Sequence, residues 1–164
     1  MQQFFDSPRK AFLIRELSRN TKLAQTAIRV NLKALITEGL IVKDKNGLYP
    51  SFRAARDNTM FKLLKVQNIV LRLCQTGALS IIEKAVYPSC TVLFGSASRG
   101  EDTETSDIDL FVQAKQTKLD LRKFEKLLNR KINVLFEPDL KTISPELLNN
   151  LVNGVVVYGF LKVV

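Results

Sequence analysis

Residues able to do chemistry concentrate between Val92 and Val112. The apolar run Val92-Leu93-Phe94 ends in Gly95-Ser96-Ala97-Ser98-Arg99-Gly100. Ten residues intervene after Ser96, and then Asp107-Ile108-Asp109 opens a second apolar run, Leu110-Phe111-Val112. Gly95 lacks the side chain that would keep phosphate oxygens away from backbone N–H groups. Ser96 adds a hydroxyl where a following helix would begin, a place whose unpaired amides favour anions. Asp107 and Asp109 sit two apart, so on a strand both carboxylates face one side. Such a pair needs a cation, and Mg²⁺ is commonly held by one or two carboxylates plus substrate phosphates. The pattern implies a site for a nucleoside triphosphate with Mg²⁺ or Mn²⁺, suited to metal-assisted in-line displacement at phosphorus. Arg99 would offset phosphate charge, and Ser106 completes the nucleotide-binding set of Gly95, Ser96, Arg99 and Ser106. The alternative is a solvated acidic hairpin built from Glu101, Asp102, Glu104, Asp107 and Asp109.

Gly95-Ser96, the ten-residue interval and Asp107-x-Asp109 together resemble the signature of the polymerase-beta-like nucleotidyltransferases, specifically the minimal type, over roughly residues 78 to 160. The resemblance implies that the Gly-Ser turn binds triphosphate, that both aspartates bind Mg²⁺ and act catalytically, and that a third carboxylate sits on a later strand. The matching strand is Lys131-Ile132-Asn133-Val134-Leu135-Phe136-Glu137, which puts Asn133 in that third place. An amide oxygen can coordinate a metal, but it brings no negative charge and cannot act as a general base. Glu137 lies about 13 Å further along the strand, too far to replace it. The implied activity is transfer of a nucleoside monophosphate to an acceptor. Two other readings stand beside it: a catalytically impaired DNA-binding regulator, and an antitoxin-like partner that modifies a toxin protein.

The elements needed to position these groups fit within 164 residues, enough for one ordinary domain or two small ones. A composition 46% hydrophobic with mean hydropathy +0.01 reads as globular rather than disordered. No apolar run approaches a membrane span, and Met1-Gln2-Gln3-Phe4-Phe5-Asp6 shows no secretory pattern, so a cytoplasmic location is expected. The absence of histidine excludes Ser-His-Asp chemistry and His-ligated metals. Cys74 and Cys90 lack metal-ligand spacing and are expected to be small buried hydrophobes.

Charge is unevenly spread. Residues 1–87 hold 15 Lys/Arg against 6 Asp/Glu, and residues 88–164 hold 10 of each. The excess therefore marks the N-terminal half for a polyanionic partner. That half predicts a short helix closed by Phe4-Phe5, then a helix on Phe12, Leu13, Ile14 and Leu17. A further helix covers Ala24 to Glu38, with Ile28, Leu32, Leu35 and Ile36 on one face and Gly39 as its stop. Leu40-Ile41-Val42 and Leu48-Tyr49 flank an Asn46-Gly47 turn and predict a hairpin. Helix, turn, helix and hairpin resemble a winged helix-turn-helix, which implies a second helix in the DNA major groove and a hairpin on the backbone. Lys22, Gln25, Thr26, Arg29 and Lys33 form its polar face, with Lys43 and Lys45 on the wing. Gln and Arg can read base edges, and Lys suits phosphates.

A long helix is expected over Arg53 to Gln75 and a short one over Leu79 to Val86. A strand at Thr91 to Phe94 follows, then a basic helix over Leu119 to Asn129 with Leu121, Phe124, Leu127 and Leu128 inward. Next come a strand at Ile132 to Phe136, a helix begun by Ser144-Pro145, and a last strand or two from Val155. The expected fold class is α+β: a winged helix-turn-helix (1–52), a helical linker (53–77) and a nucleotidyltransferase-like domain (78–164) with a small mixed sheet and helices on one side. Expected partners are a nucleoside triphosphate, double-stranded DNA and a protein acceptor or toxin, with a homodimer allowed and no membrane.

Overall fold

Short runs of alternating or clustered apolar residues set the elements of the N-terminal unit. The computed structural model describes residues 1–44 and 49–163, and it divides into units Met1–Lys65 and Val66–Val164. In the first unit, α1 (Gln2–Asp6) is followed by β1 (Phe12–Leu13), α2 (Ile14–Thr21), α3 (Gln25–Thr37), β2 (Ile41–Asp44) and β3 (Ser51–Ala54). The strands form an antiparallel sheet in the order β1-β3-β2. Phe4, Phe12, Leu17, Ile28, Leu32, Ile41 and Phe52 bury together against it, with Phe4 and Phe12 edge to face at 5.3 Å. Gly39 ends α3 at φ +71°. The Leu40 N–H then donates back to the Leu35 carbonyl at 2.9 Å, a left-handed cap that glycine takes without steric cost.

Three expectations for this half need correction. Phe12 and Leu13 pair with Phe52 and Ser51 as a strand rather than joining the helix, which begins at Ile14. The strand that pairs with β2 is Ser51–Ala54, the middle strand of the sheet, with Val42 opposite Arg53; Tyr49 lies before it, and Leu48 is outside the described residues. The Asn46-Gly47 turn and Lys45 lie outside the described residues. The long helix accordingly starts after the strand: α4 spans Thr59–Thr76. Asn58 sets that start, its side-chain oxygen accepting from the Phe61 N–H at 3.0 Å.

The second unit continues from α4 with α5 (Ala78–Val86), β4 (Cys90–Phe94), the single turn α6 (Gly95–Ser98), β5 (Ile108–Val112), α7 (Arg122–Leu128) and β6 (Ile132–Phe136). A 3-10 turn (Leu140–Thr142), α8 (Pro145–Val152) and β7 (Val155–Gly159) complete it. The sheet order is β6-β5-β4-β7; β5 and β6 run parallel, and the other neighbours antiparallel. The parallel pair requires a crossover, and α7 provides it. Ser144 caps α8, its hydroxyl accepting from the Leu147 N–H at 3.2 Å, and Pro145 takes the first helical position.

Strand alternation separates two apolar layers. Leu93, Ile108, Leu110 and Val112 bury against Leu73 of α4, Leu79 and Ile82 of α5, and Leu128 of α7. Cys90, Val92 and Phe111 point the other way, onto Leu151 of α8. Helices therefore lie on both faces of the sheet, not on one as expected, because β4 and β5 are apolar at every described position from Cys90 to Phe94 except Thr91, and at every one from Ile108 to Val112 except Asp109. The helix expected from Leu119 starts only at Arg122. Leu127, expected inward, is 55% exposed, and Cys74 is exposed while Cys90 is buried. Burial pushes the Cys90 thiol above its ordinary pKa.

Candidate active site

The sheet register assembles the Gly-Ser turn and the Asp pair. Phe94, the last residue of β4, stands opposite Asp109 of β5, and Asp109 stands opposite Asn133 of β6. Gly95 therefore leaves the sheet beside the Asp109 carboxylate. It adopts φ +71°, and a Cβ placed there would lie 2.7 Å from Asp109 Oδ2. Both the backbone conformation and the space thus demand glycine. In α6 the Ser98 hydroxyl donates to the Gly95 carbonyl at 2.9 Å.

Asp107 precedes β5 and Asp109 lies within it. Their carboxylates meet at one group: Asn133 Nδ2 donates to Asp107 Oδ2 and to Asp109 Oδ1, each at 3.1 Å. The strand pairing places Asn133 directly across from Asp109. Among the described residues no group of three or more His, Cys, Asp or Glu could hold a metal. The donors present are two carboxylates and one carboxamide. The carboxamide presents its NH₂ to both carboxylates, so the oxygens offered to a cation are those of the carboxylates, a set that fits one Mg²⁺ or Mn²⁺, ions commonly held by one or two carboxylates.

Arg130 is the residue that sequence reasoning missed. Its Nη1 donates to Asp102 Oδ2 at 2.8 Å, its Nη2 to the Asp107 carbonyl at 3.1 Å, and its Nε to the Ser106 carbonyl. The Arg130 and Asp102 side chains are only 10% and 4% exposed. One planar guanidinium thereby pins the loop that delivers Asp107. Asp102 entered only the alternative reading, as part of a solvated acidic hairpin, and no local pattern ties it to an arginine 28 positions away. Only the β5–β6 pairing reveals the link.

The other expected nucleotide residues stand differently. The Ser106 hydroxyl accepts from the Thr103 N–H at 2.9 Å and closes the loop turn. Arg99 is exposed and ion-paired with Glu101 at 3.0 Å. A cavity of about 670 Å³ between residues 116–122, Glu125 and Ile132, Val134 and Phe136 contains none of the site residues. It lies on the opposite sheet face from Asn133, by strand alternation. Hydrogen bonds from Arg122 at its edge hold the Asp120 carboxyl down at about 2.

In the first unit Gln25, Thr26, Arg29 and Lys33 are exposed on α3, and Gln25, Arg29 and Lys33 fall in one row at four-residue spacing. Lys22 follows α2 in a left-handed conformation, and Lys43 is exposed on β2. Val30, 71% exposed beside Arg29, joins this face and was not anticipated.

Residues 78–159, half of the chain, match the family described as Polymerase beta, Nucleotidyltransferase. The chain belongs to this family. The β4–α6–β5–β6 arrangement is therefore the polymerase beta nucleotidyltransferase domain, and Gly95, Asp107 and Asp109 sit inside it. No curated protein matches the chain. Similar solved structures include a toxin-antitoxin with AMP-PNP, at 22% identity and TM-score 0.39, covering 56% of this chain and 73% of that one. A mutant of the toxin-antitoxin MntA-HpeT aligns at 20% identity and TM-score 0.38, covering 58% and 73%. Among the described residues no helix is long and apolar enough to cross a membrane.

Proposed function

We propose that the polymerase beta nucleotidyltransferase domain binds a nucleoside triphosphate with Mg²⁺ or Mn²⁺. Asp107 and Asp109 hold the metal, and Gly95 and Ser96 receive the phosphates. The observation that carries this reading is the 2.7 Å approach of the Gly95 Cβ position to Asp109 Oδ2. A side-chain-free turn placed against a carboxylate pair lets phosphate and cation share one location. The metal would supply charge neutralisation and Lewis acidity at phosphorus. Asn133 cannot take a proton from an attacking hydroxyl, so transfer of a nucleoside monophosphate runs well below the rate that a third carboxylate would support.

Calorimetry with a non-hydrolysable triphosphate tests the binding. Wild type is expected to bind only when Mg²⁺ is present, and Asp107→Ala or Asp109→Ala to abolish the heat. Absence of Mg²⁺-dependent binding for every common triphosphate overturns the reading. Labelled triphosphate with cell extract reads out any acceptor, including a protein acceptor of the toxin kind.

The N-terminal unit is proposed to be a winged helix-turn-helix that binds double-stranded DNA through α3, with β2 and β3 as the wing. Support comes from the strand order β1-β3-β2 and the exposed row Gln25, Arg29 and Lys33. The basic excess of residues 1–87 adds to it.

A further inference from the structure

We propose that the Asn133 carboxamide stands in for a cation. Its NH₂ group holds Asp107 and Asp109 together in the metal-free protein and competes with a divalent ion for that position. The inference rests on the metal reading above and assigns Asn133 the part of competitor rather than ligand.

Two 3.1 Å contacts from one nitrogen, one to each carboxylate, use both hydrogens of the amide. The reverse orientation would set the amide oxygen against two negative groups, so electrostatics alone selects nitrogen inward. Asn133 is exposed, and these two bonds rather than packing hold it. Without such a donor, two carboxylates facing one point would repel. A divalent ion accepts only oxygens there, so the NH₂ must leave before the ion can enter.

A third carboxylate would have the opposite effect. It would raise repulsion in the empty site and strengthen the pull on the ion, since ligand charge count tunes affinity. With Asn133, the metal-free site is calm and the bare ion binds weakly. Metal entry then depends on the oxygens that a triphosphate brings, which couples the two ligands.

The test uses Mn²⁺ alone, without nucleotide, on the full chain. Melting temperature is measured in chelator, and Mn²⁺ affinity by calorimetry or electron paramagnetic resonance. For Asn133→Asp the expected result is a lower metal-free melting temperature and Mn²⁺ binding tighter by about tenfold or more. For Asn133→Ala the metal-free melting temperature also falls, while Mn²⁺ binds no more weakly than in wild type. Binding weakened about tenfold in Asn133→Ala would make the amide oxygen a ligand and overturn the inference. Unchanged metal-free melting in both variants would overturn it as well. Asp107→Ala serves as the control. If it binds Mn²⁺ as wild type does, the metal reading itself falls and takes this inference with it.

Discussion

The Asp107–Asp109 site and the outer face of α3 are built in opposite ways. The first gathers Gly95, Asp107, Asp109 and Asn133 from three strands or their ends, and a buried Arg130 ties its loop down. The second stands on one helix, where Gln25, Thr26, Arg29 and Lys33 are exposed at helical spacing. Groups joined across strands act as a unit, and a change at one moves the others. Groups on an exposed helix face act separately, and their effects add.

The largest expected effect falls on the connected side. Arg130→Ala leaves the Asp102 carboxylate buried without its guanidinium and should cost about 3–5 kcal/mol in urea unfolding. It should also weaken metal-dependent triphosphate binding, since Asp107 loses its backbone anchor. Arg130→Lys keeps the charge but not the three-way fork, and should recover only part of the loss. A cost below about 1 kcal/mol, the range of exposed pairs, would break the contrast between the two regions.

Gly95→Ala comes next. A residue with φ +71° and a Cβ 2.7 Å from Asp109 Oδ2 should lose about 1–2 kcal/mol from backbone strain alone. Triphosphate binding should fall with it, because the Asp109 carboxylate must shift. Wild-type affinity in this variant would show that the turn does not approach phosphate.

On the helix face, Arg29→Ala with Lys33→Ala should change stability by less than about 0.5 kcal/mol. The same double variant should lower duplex affinity, and the slope of log affinity against log salt should fall by about 1, for the phosphate contact of Lys33. An unchanged slope would remove α3 from the DNA surface.

The smallest effect belongs to a local ion pair. Asp120 and Arg122 are exposed and two residues apart, unlike Asp102 and Arg130. The hydrogen bonds from Arg122 lower the Asp120 carboxyl from 3.8 to about 2. A depressed carboxylate contributes stability above pH 3.8 and loses it as pH falls through about 2. An NMR titration should place the Asp120 midpoint near pH 2 in wild type and near its ordinary value in Arg122→Ala. Unfolding midpoints of the two proteins should barely differ, since the pair is solvent-screened.

Motif types and spacing were legible in the chain itself. The Gly39 cap and the Ser144-Pro145 helix start follow from local chemistry that the structure repeats, and Asp107-x-Asp109 falls at the head of a strand as its apolar sequel implies. Errors fell where partners lie far along the chain. Phe12-Leu13 reads as helical until Phe52 offers it a strand. Arg53 reads as the opening of a helix until Val42 pairs with it. Periodicity places Leu127 inward and residue type alone makes Cys74 a buried hydrophobe, and packing leaves both exposed.

By itself the sequence determined which groups could meet phosphate and metal, because glycine, carboxylate and amide carry their chemistry wherever they stand. Tertiary structure alone decided that Asn133 turns its nitrogen to both aspartates and that Arg130 closes on Asp102. Both depend on the β5–β6 register, and register is a relation between strands that no local pattern contains.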